Sequence, residues 1–316
     1  MGTKGSNSGH EPVLVEQVVR YLATEPNGAY LDLTLGPGGH LKALSQAVAH
    51  DARLYGLDRD ASAVELAKKN LHQCPQLRAI VCSSYSSIDA VVENFEDKLF
   101  DGILLDLGIS SLQLDDPRRG FTFRFDGPLD MRFDPESGGE TAADLVNSLS
   151  EDRLTEIISE YGEQRGAGRI AGAIVRERQR KMVLTTAQLR DIVLKVVKKP
   201  YQTKSLARVF QAFRIAVNRE LGHLTEVLPK AVAHLNAGGK LAVISYHSLE
   251  DRTIKRFYQQ QAKGCICPEH FDICVCGVKP SLEIVTRKAI TASEDEQKRN
   301  PRSRSARLRV ARKIEV

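Results

Sequence analysis

Three aspartates, each closing an apolar run, are the residues whose type and spacing could first do chemistry. Asp32 opens Asp32-Leu33-Thr34-Leu35-Gly36-Pro37-Gly38-Gly39-His40, Asp58 ends a short hydrophobic segment nineteen residues beyond Gly39, and Asp106 ends Leu104-Leu105-Asp106-Leu107-Gly108-Ile109-Ser110. Glycines at 36, 38 and 39, at a strand-to-helix turn, let a ligand approach the backbone. A dinucleotide fingerprint needs a third glycine at position 41. Leu41 stands there, so NAD and FAD are disfavoured, and the acid-x-x-x-Gly-x-Gly form fits another nucleotide-like cofactor, with Asp32, Gly36, Gly38 and Gly39 around it. Asp58 is placed to accept hydrogen bonds from ribose hydroxyls, or to cap the following helix, a task Asp60 could do better. Tyr85 is placed to stack on adenine, or is a surface aromatic. A carboxylate after so apolar a strand as 101–107 is costly unless it faces a polar cleft, which makes Asp106 the expected centre of the active site.

Two further groups remain. Ser245-Tyr246-His247-Ser248-Leu249-Glu250-Asp251 follows another apolar run; Ser248 with Asp251 has the form of a capping box, and Tyr246 and His247 lie where substrate would sit. Cys265-x-Cys267 and Cys274-x-Cys276 crowd four of the six cysteines into one turn-rich segment. Tetrahedral zinc and ordinary thiols both fit that spacing, so no metal ligand is assigned from it.

The elements that must hold these groups alternate. Strands at 30–35, 53–58, 77–83 and 101–107, with helices at 41–48, 61–71 and 88–95 between them, read as a parallel α/β sheet. From 113 to 222 the alternation breaks into turns and then helices at 141–147, 150–160, 165–180, 185–197 and 203–220. It resumes with a helix at 222–236, stopped by Asn236-Ala237-Gly238-Gly239, a strand at 240–246, and two closing strands at 281–287 and 304–313 that could pair antiparallel. The expected organisation is a flexible stretch at 1–9, one α/β domain from 10–112 and 223–316, and an all-helical insert at 113–222.

A chain of 316 residues, 42% hydrophobic, can bury a substantial core. No run of eighteen apolar residues and no basic-then-apolar leader occurs, so a cytoplasmic location is expected. The net charge of +5 is unevenly spread: residues 1–159 carry 14 basic and 25 acidic side chains, 160–222 carry 14 and 5, and 223–316 carry 17 and 10. Two basic segments beside an acidic one favour nucleic acid over a merely solvated surface. The phosphate-binding candidates are Arg165, Arg169, Lys198, Lys199, Lys204 and Arg208 in the insert, with Arg302 and Arg304 near the C-terminus.

Longer motifs make a resemblance. Asp-x-Thr-x-Gly-x-Gly-Gly-His at 32–40, Asp-Gly-Ile-Leu-x-Asp-Leu-Gly-x-Ser-Ser at 101–111, Arg-Gly-Phe-x-Phe at 119–123, Gly-Pro-Leu-Asp-Met-Arg at 127–132, Ser-Tyr-His-Ser-Leu-Glu-Asp-Arg at 245–252 and Asn-Pro-Arg-Ser-Arg-Ser at 300–305 all stand in the chain. Together they resemble the RsmH (MraW) family, over about residues 10–312. The resemblance implies a class I S-adenosylmethionine-dependent methyltransferase, with a Rossmann-like, mostly parallel seven-stranded sheet and an inserted substrate-recognition domain. It implies methylation of the N4 amine of a decoding-centre cytidine, position 1402 of 16S ribosomal RNA, in the small ribosomal subunit, and leaves room for a homodimer. It implies cofactor contacts at Gly38, Gly39, His40, Asp58, Tyr85, Asp106 and Gln113. Catalysis is expected to rest on Asp106 or a neighbouring backbone carbonyl as acceptor of the amine proton, with Ser110, Tyr246 and His247 shaping the base pocket.

Overall fold

The structure is a computed structural model and describes residues 12–136, 138–265, 267 and 276–315. The stretch 1–9 and Cys274 lie outside the described residues. The chain divides into two compact units: one holds the chain up to Gly108 and from His223 onward, the other is Ile109–Gly222.

The first unit is the α/β layer. Its chain order is α1 (Val15–Leu22), β1 (Ala29–Asp32), α2 (Gly39–Ala47), β2 (Arg53–Asp58), α3 (Ala61–Asn70), β3 (Leu77–Cys82), α4 (Ile88–Val92) and β4 (Phe100–Asp106). The second unit carries α5 (Ser111–Asp115), α6 (Ala142–Ser148), α7 (Glu151–Glu160), α8 (Ala167–Arg178), α9 (Thr186–Val196) and α10 (Gln202–Asn218). Then come α11 (Glu220–Ala233), β5 (Leu235–Ser245), α12 (Ser248–Lys263), β6 (Leu282–Ile284), α13 (Glu294–Arg299) and β7 (Arg307–Lys313).

Seven strands form one sheet in the order β3-β2-β1-β4-β5-β7-β6. The first five are mutually parallel, while β7 runs antiparallel to β5 and β6 antiparallel to β7. Strands buried on both faces read as continuous apolar runs, and β4 obeys: Ile103 and Leu105 pack into one core, Leu104 into the other. At roughly 1.5–3 kcal/mol for each side chain fully buried, these strands are a large part of what holds the unit together. The helical unit has its own core, in which Leu154, Ile158, Ile174, Leu189, Val209 and Phe213 are almost wholly inaccessible.

Several boundaries differ from the sequence expectation, each for a local reason. The boundary between the units falls after Gly108 rather than after residue 112, because α5 is nucleated by Ser110 as a capping box with Gln113 and groups with the helices. β1 stops at Asp32 rather than running to residue 35, because the Thr34 N–H turns to Asp32 Oδ1 and the Gly36 N–H to Asp58 Oδ2. The helix expected at 222–236 ends at Ala233, and Asn236-Ala237-Gly238-Gly239 is not its stop but an irregular entry to β5, with Gly238 at φ +83° and a register shift against β4.

Candidate active site

The sheet order reverses between β1 and β4, and a parallel sheet binds its ligand in the crevice at such a switch point. Asp32, Asp58 and Asp106 end β1, β2 and β4, three adjacent strands, so all three carboxylates reach the same edge of the sheet.

Asp32 is wholly buried, and burial is the main reason its carboxyl is pushed up to about 6. One oxygen accepts the Thr34 N–H at 2.9 Å, while Oδ2 has no hydrogen-bond partner among the described residues. Such an oxygen is unfavourable unless a donor or a cation meets it. Asp58 is half-buried; its two oxygens accept the Gly36 N–H at 2.7 Å and the Asp60 N–H at 2.9 Å. Each oxygen keeps a second lone pair for a ligand hydroxyl. Asp60, not Asp58, caps α3, through Ser62, which leaves Asp58 to the turn. The turn itself requires glycine: Gly36 has φ +50° and Gly38 φ +87°, and a Cβ at Gly36 would meet open space, so the backbone there is accessible. Tyr85 follows β3 in a single 3-10 turn, half-buried, its ring edge-on to His223 at 6.3 Å.

Asp106 anchors the other half. Its Oδ1 accepts the Tyr246 hydroxyl at 2.8 Å, and His40 Nδ1 stands 3.8 Å from its Oδ2. Burial pushes the Asp106 carboxyl up to about 7; the Tyr246 hydrogen bond opposes that rise and the Glu250 charge adds to it. His40 Nε2 faces the Val13 carbonyl at 2.8 Å, which fixes the proton there and leaves Nδ1 as the lone-pair nitrogen; burial lowers the imidazole pKa. Tyr246 is held by its N–H, which donates to Glu250 Oε2 at 2.8 Å, and by Gly108 at φ +105°, where a Cβ would lie 3.1 Å from the tyrosine ring. Arg302 acts electrostatically on Tyr246, opposing the large upward shift that burial imposes on the phenol.

Thr34 is the residue that sequence reasoning missed. Its hydroxyl accepts the Asp106 N–H and donates to Asp32 Oδ1 at 3.3 Å, joining the two halves of the site across β1 and β4. Its place where such motifs often carry another glycine was the available signal.

His247 is the N-cap of α12, paired with Glu250; Ser248 and Asp251 are not the capping box expected from sequence. The His247 ring accepts the Glu250 N–H through Nδ1, and its Nε2 lies 3.1 Å from Glu250 Oε1. Asp251 instead binds Arg309 at 2.7 Å and Arg307 at 3.1 Å. Ser110 and Gln113 belong to the helical unit, where Ser110 Oγ accepts the Gln113 N–H and Gln113 Oε1 accepts the Ser110 N–H, both at 3.2 Å.

Of the expected phosphate ligands, Arg165, Arg169, Lys198, Lys199, Lys204 and Arg304 are exposed, while Arg208 and Arg302 are half-buried. Tyr201 sits among Lys198, Lys199 and Lys204 in sequence and is 62% exposed, an aromatic that composition had not singled out. Among the described residues no helix is long and apolar enough to cross a membrane.

A family model described as the MraW methylase family matches residues 7–314. The chain belongs to the MraW methylase family. Its relatives include proteins named ribosomal RNA small subunit methyltransferase H from Caldicellulosiruptor saccharolyticus, 46% identical over 96% of this chain and 99% of that one, and from Heliobacterium mobile, 47% identical over the same shares. A ribosomal RNA methylase structure from Streptococcus thermophilus is similar at a TM-score of 0.40 and 9% identity, covering 95% of this chain and 94% of that one. Membership in a methylase family with this sheet makes S-adenosylmethionine the methyl donor. The residues fit it: a partnerless buried carboxylate oxygen on Asp32 suits a cation, Asp58 keeps acceptors for a diol, and the Gly36 turn is open.

Proposed function

We propose that this member of the family methylates ribosomal RNA of the small subunit, and that the acceptor is the N4 amine of the decoding-centre cytidine, position 1402 of 16S RNA. The relatives' shared name supports the ribosomal substrate. The observation that carries the chemistry is Asp106, a carboxyl with a value of about 7 at the carboxyl end of β4, tied to Tyr246.

The N4 lone pair of cytosine is conjugated into its ring and is a poor nucleophile. When bound, S-adenosylmethionine supplies an activated sulfonium methyl. The protein's work is alignment and proton removal. A base is most effective with a pKa near the working pH, and burial brings Asp106 there. In this reading Asp106 would accept a hydrogen bond from the exocyclic amine, drawing electron density onto nitrogen, and would take its proton as the methyl carbon exchanges its bond to sulfur for one to nitrogen. Tyr246 Oη donates to the same carboxylate and fixes its orientation; Thr34 fixes its backbone. Asp32 and Asp58 hold the donor, with Gly36, Gly38, Gly39, His40 and Tyr85 around it, and Gln113 is a further proposed contact. Ser110 is proposed to shape the base pocket, while His247 positions Tyr246 through Glu250.

A cytidine must leave its stack to reach a sheet edge, which costs a few kcal/mol and favours a single-stranded target. The proposed backbone ligands are Arg165, Arg169, Lys198, Lys199, Lys204, Arg208, Arg302 and Arg304, with Tyr201 as a stacking platform beside three of the lysines. The helical unit is therefore the proposed recognition domain. The test is methyl transfer from labelled S-adenosylmethionine to small subunits, naked 16S RNA and DNA in parallel, with nucleoside mass spectrometry of the product. N4-methylcytidine at a single site in the subunit is expected; label on DNA, or on a different atom of RNA, refutes the assignment.

A further inference from the structure

The proposed methyl transfer makes no use of the clustered cysteines. Cys265 directly follows Gly264, the cap of α12, and Cys276 directly precedes Gly277 on the way to β6. The stems at these two points are fastened together. The Ser281 N–H donates to the Gln261 carbonyl at 3.0 Å and the Ser281 hydroxyl to Gln261 Oε1 at 2.6 Å. Gly264, at φ +69°, lies so close to Lys279 and Pro280 that a Cβ would stand 2.4 Å from the Pro280 nitrogen. This closure brings the sulfurs of Cys265, Cys267 and Cys276 within 4.8 Å of one another, each half-buried, with Cys276 Sγ 3.8 Å from Cys265 Sγ.

We propose that Cys265, Cys267 and Cys276 bind a thiophilic divalent metal ion, zinc by preference, as a structural clamp between the end of α12 and the approach to β6. With zinc–sulfur bonds of about 2.3 Å, two sulfurs of a tetrahedron stand about 3.8 Å apart, the separation seen here. A disulfide would need about 2.05 Å between one pair and would leave the third thiol unused. On binding, each thiol releases its proton to solvent as its sulfur–metal bond forms, and no electrons change hands. Soft thiolates select zinc over magnesium or calcium. The role is structural because of distance: α12 has 16 residues and so runs about 24 Å, with the Tyr246-holding Glu250 in its first turn and the cysteines beyond its last. The metal would thus anchor the far end of the helix whose near end holds the Asp106 partner.

The experiment is elemental analysis of full-length protein purified under nitrogen with zinc and without chelators, followed by exchange into cobalt(II). About one zinc per chain is expected after gel filtration, and the cobalt form should show thiolate-to-metal charge-transfer absorption with tetrahedral visible bands. A variant with Cys265, Cys267 and Cys276 all changed to Ser should lose both signals, while Cys74→Ser/Cys82→Ser keeps them. Should the triple variant not fold, the cobalt spectrum of the unmodified chain decides alone. Less than about a tenth of an equivalent of zinc, absence of charge-transfer absorption, or a Cys265–Cys276 disulfide in the anaerobic protein overturns the proposal.

Discussion

Asp106→Asn preserves shape and removes the charge on which the proposed chemistry depends, and its consequences differ for stability and for turnover. In the folded protein the carboxyl is pushed from the ordinary 3.8 up to about 7, chiefly by burial. At 1.36 kcal/mol per pK unit, ionising it in place costs the fold up to about 4 kcal/mol. The folded value lies above the unfolded one, so the stability associated with the protonated group is complete below about pH 4 and is lost as pH rises through about 7. The Asn variant has no such loss. Between about pH 5 and pH 8 it should therefore gain about 3 kcal/mol relative to the unmodified protein, roughly 5–10 °C in melting temperature for a domain of this size. Asp32 and Asp58 titrate in both proteins and largely cancel; the Asp106 charge also raises the Asp32 value, so its removal shifts the comparison in the same direction. The assay is a thermal melt of cofactor-free protein across that pH range, paired with single-turnover methyl transfer. Turnover should fall by a factor on the order of 100 or more, as loss of a general base does, while cofactor affinity changes less than about tenfold. A melting difference that stays flat with pH refutes the buried-carboxyl argument, and full turnover refutes the acceptor role.

The other predictions concern neighbouring contacts. Tyr246→Phe removes the hydrogen bond that holds the Asp106 value down, so the rising limb of the pH–rate profile should move to higher pH, with activity lost more at neutral than at alkaline pH; an unmoved limb would disconnect the two residues. Thr34→Val deletes the hydroxyl that accepts from Asp106 N and donates to Asp32, and calorimetry should find cofactor binding weakened by about tenfold, the worth of a buried hydrogen bond to a charged group. Lys198→Ala/Lys199→Ala/Lys204→Ala should flatten the slope of log affinity against log salt for RNA by about 2, as three lost phosphate contacts would. Tyr201→Ala should weaken RNA binding by about 1–3 kcal/mol at unchanged slope. Equal slopes for the lysine variant and the unmodified protein would make those charges merely solvated.

The alternating strands and helices, the helical insert and the three strand-ending aspartates were legible from sequence because each rests on local chemistry. An apolar run as unbroken as that of β4 must be buried on both faces, and a carboxylate at its end must meet something polar. The helices expected between residues 141 and 220 fall within two residues of those bounds because their apolar positions recur at helical spacing over several turns, whereas the short α5 was not expected. The antiparallel pairing of β6 with β7 was also expected, and it holds although the chain between them, residues 285–306, carries α13. Tertiary structure decided what depends on residues far apart in the chain. The Asp106–Tyr246 pair spans 140 residues, and the Thr34 bridge to Asp106 spans 72. The placement of β1 between β2 and β4 puts three carboxylates at one edge, and no local pattern specifies a strand order. Capping was ambiguous for the opposite reason: Ser248 with Asp251 and His247 with Glu250 both satisfy the spacing. Arg307 and Arg309 decide between them by binding Asp251, which leaves Glu250 to pair with His247 and hold Tyr246.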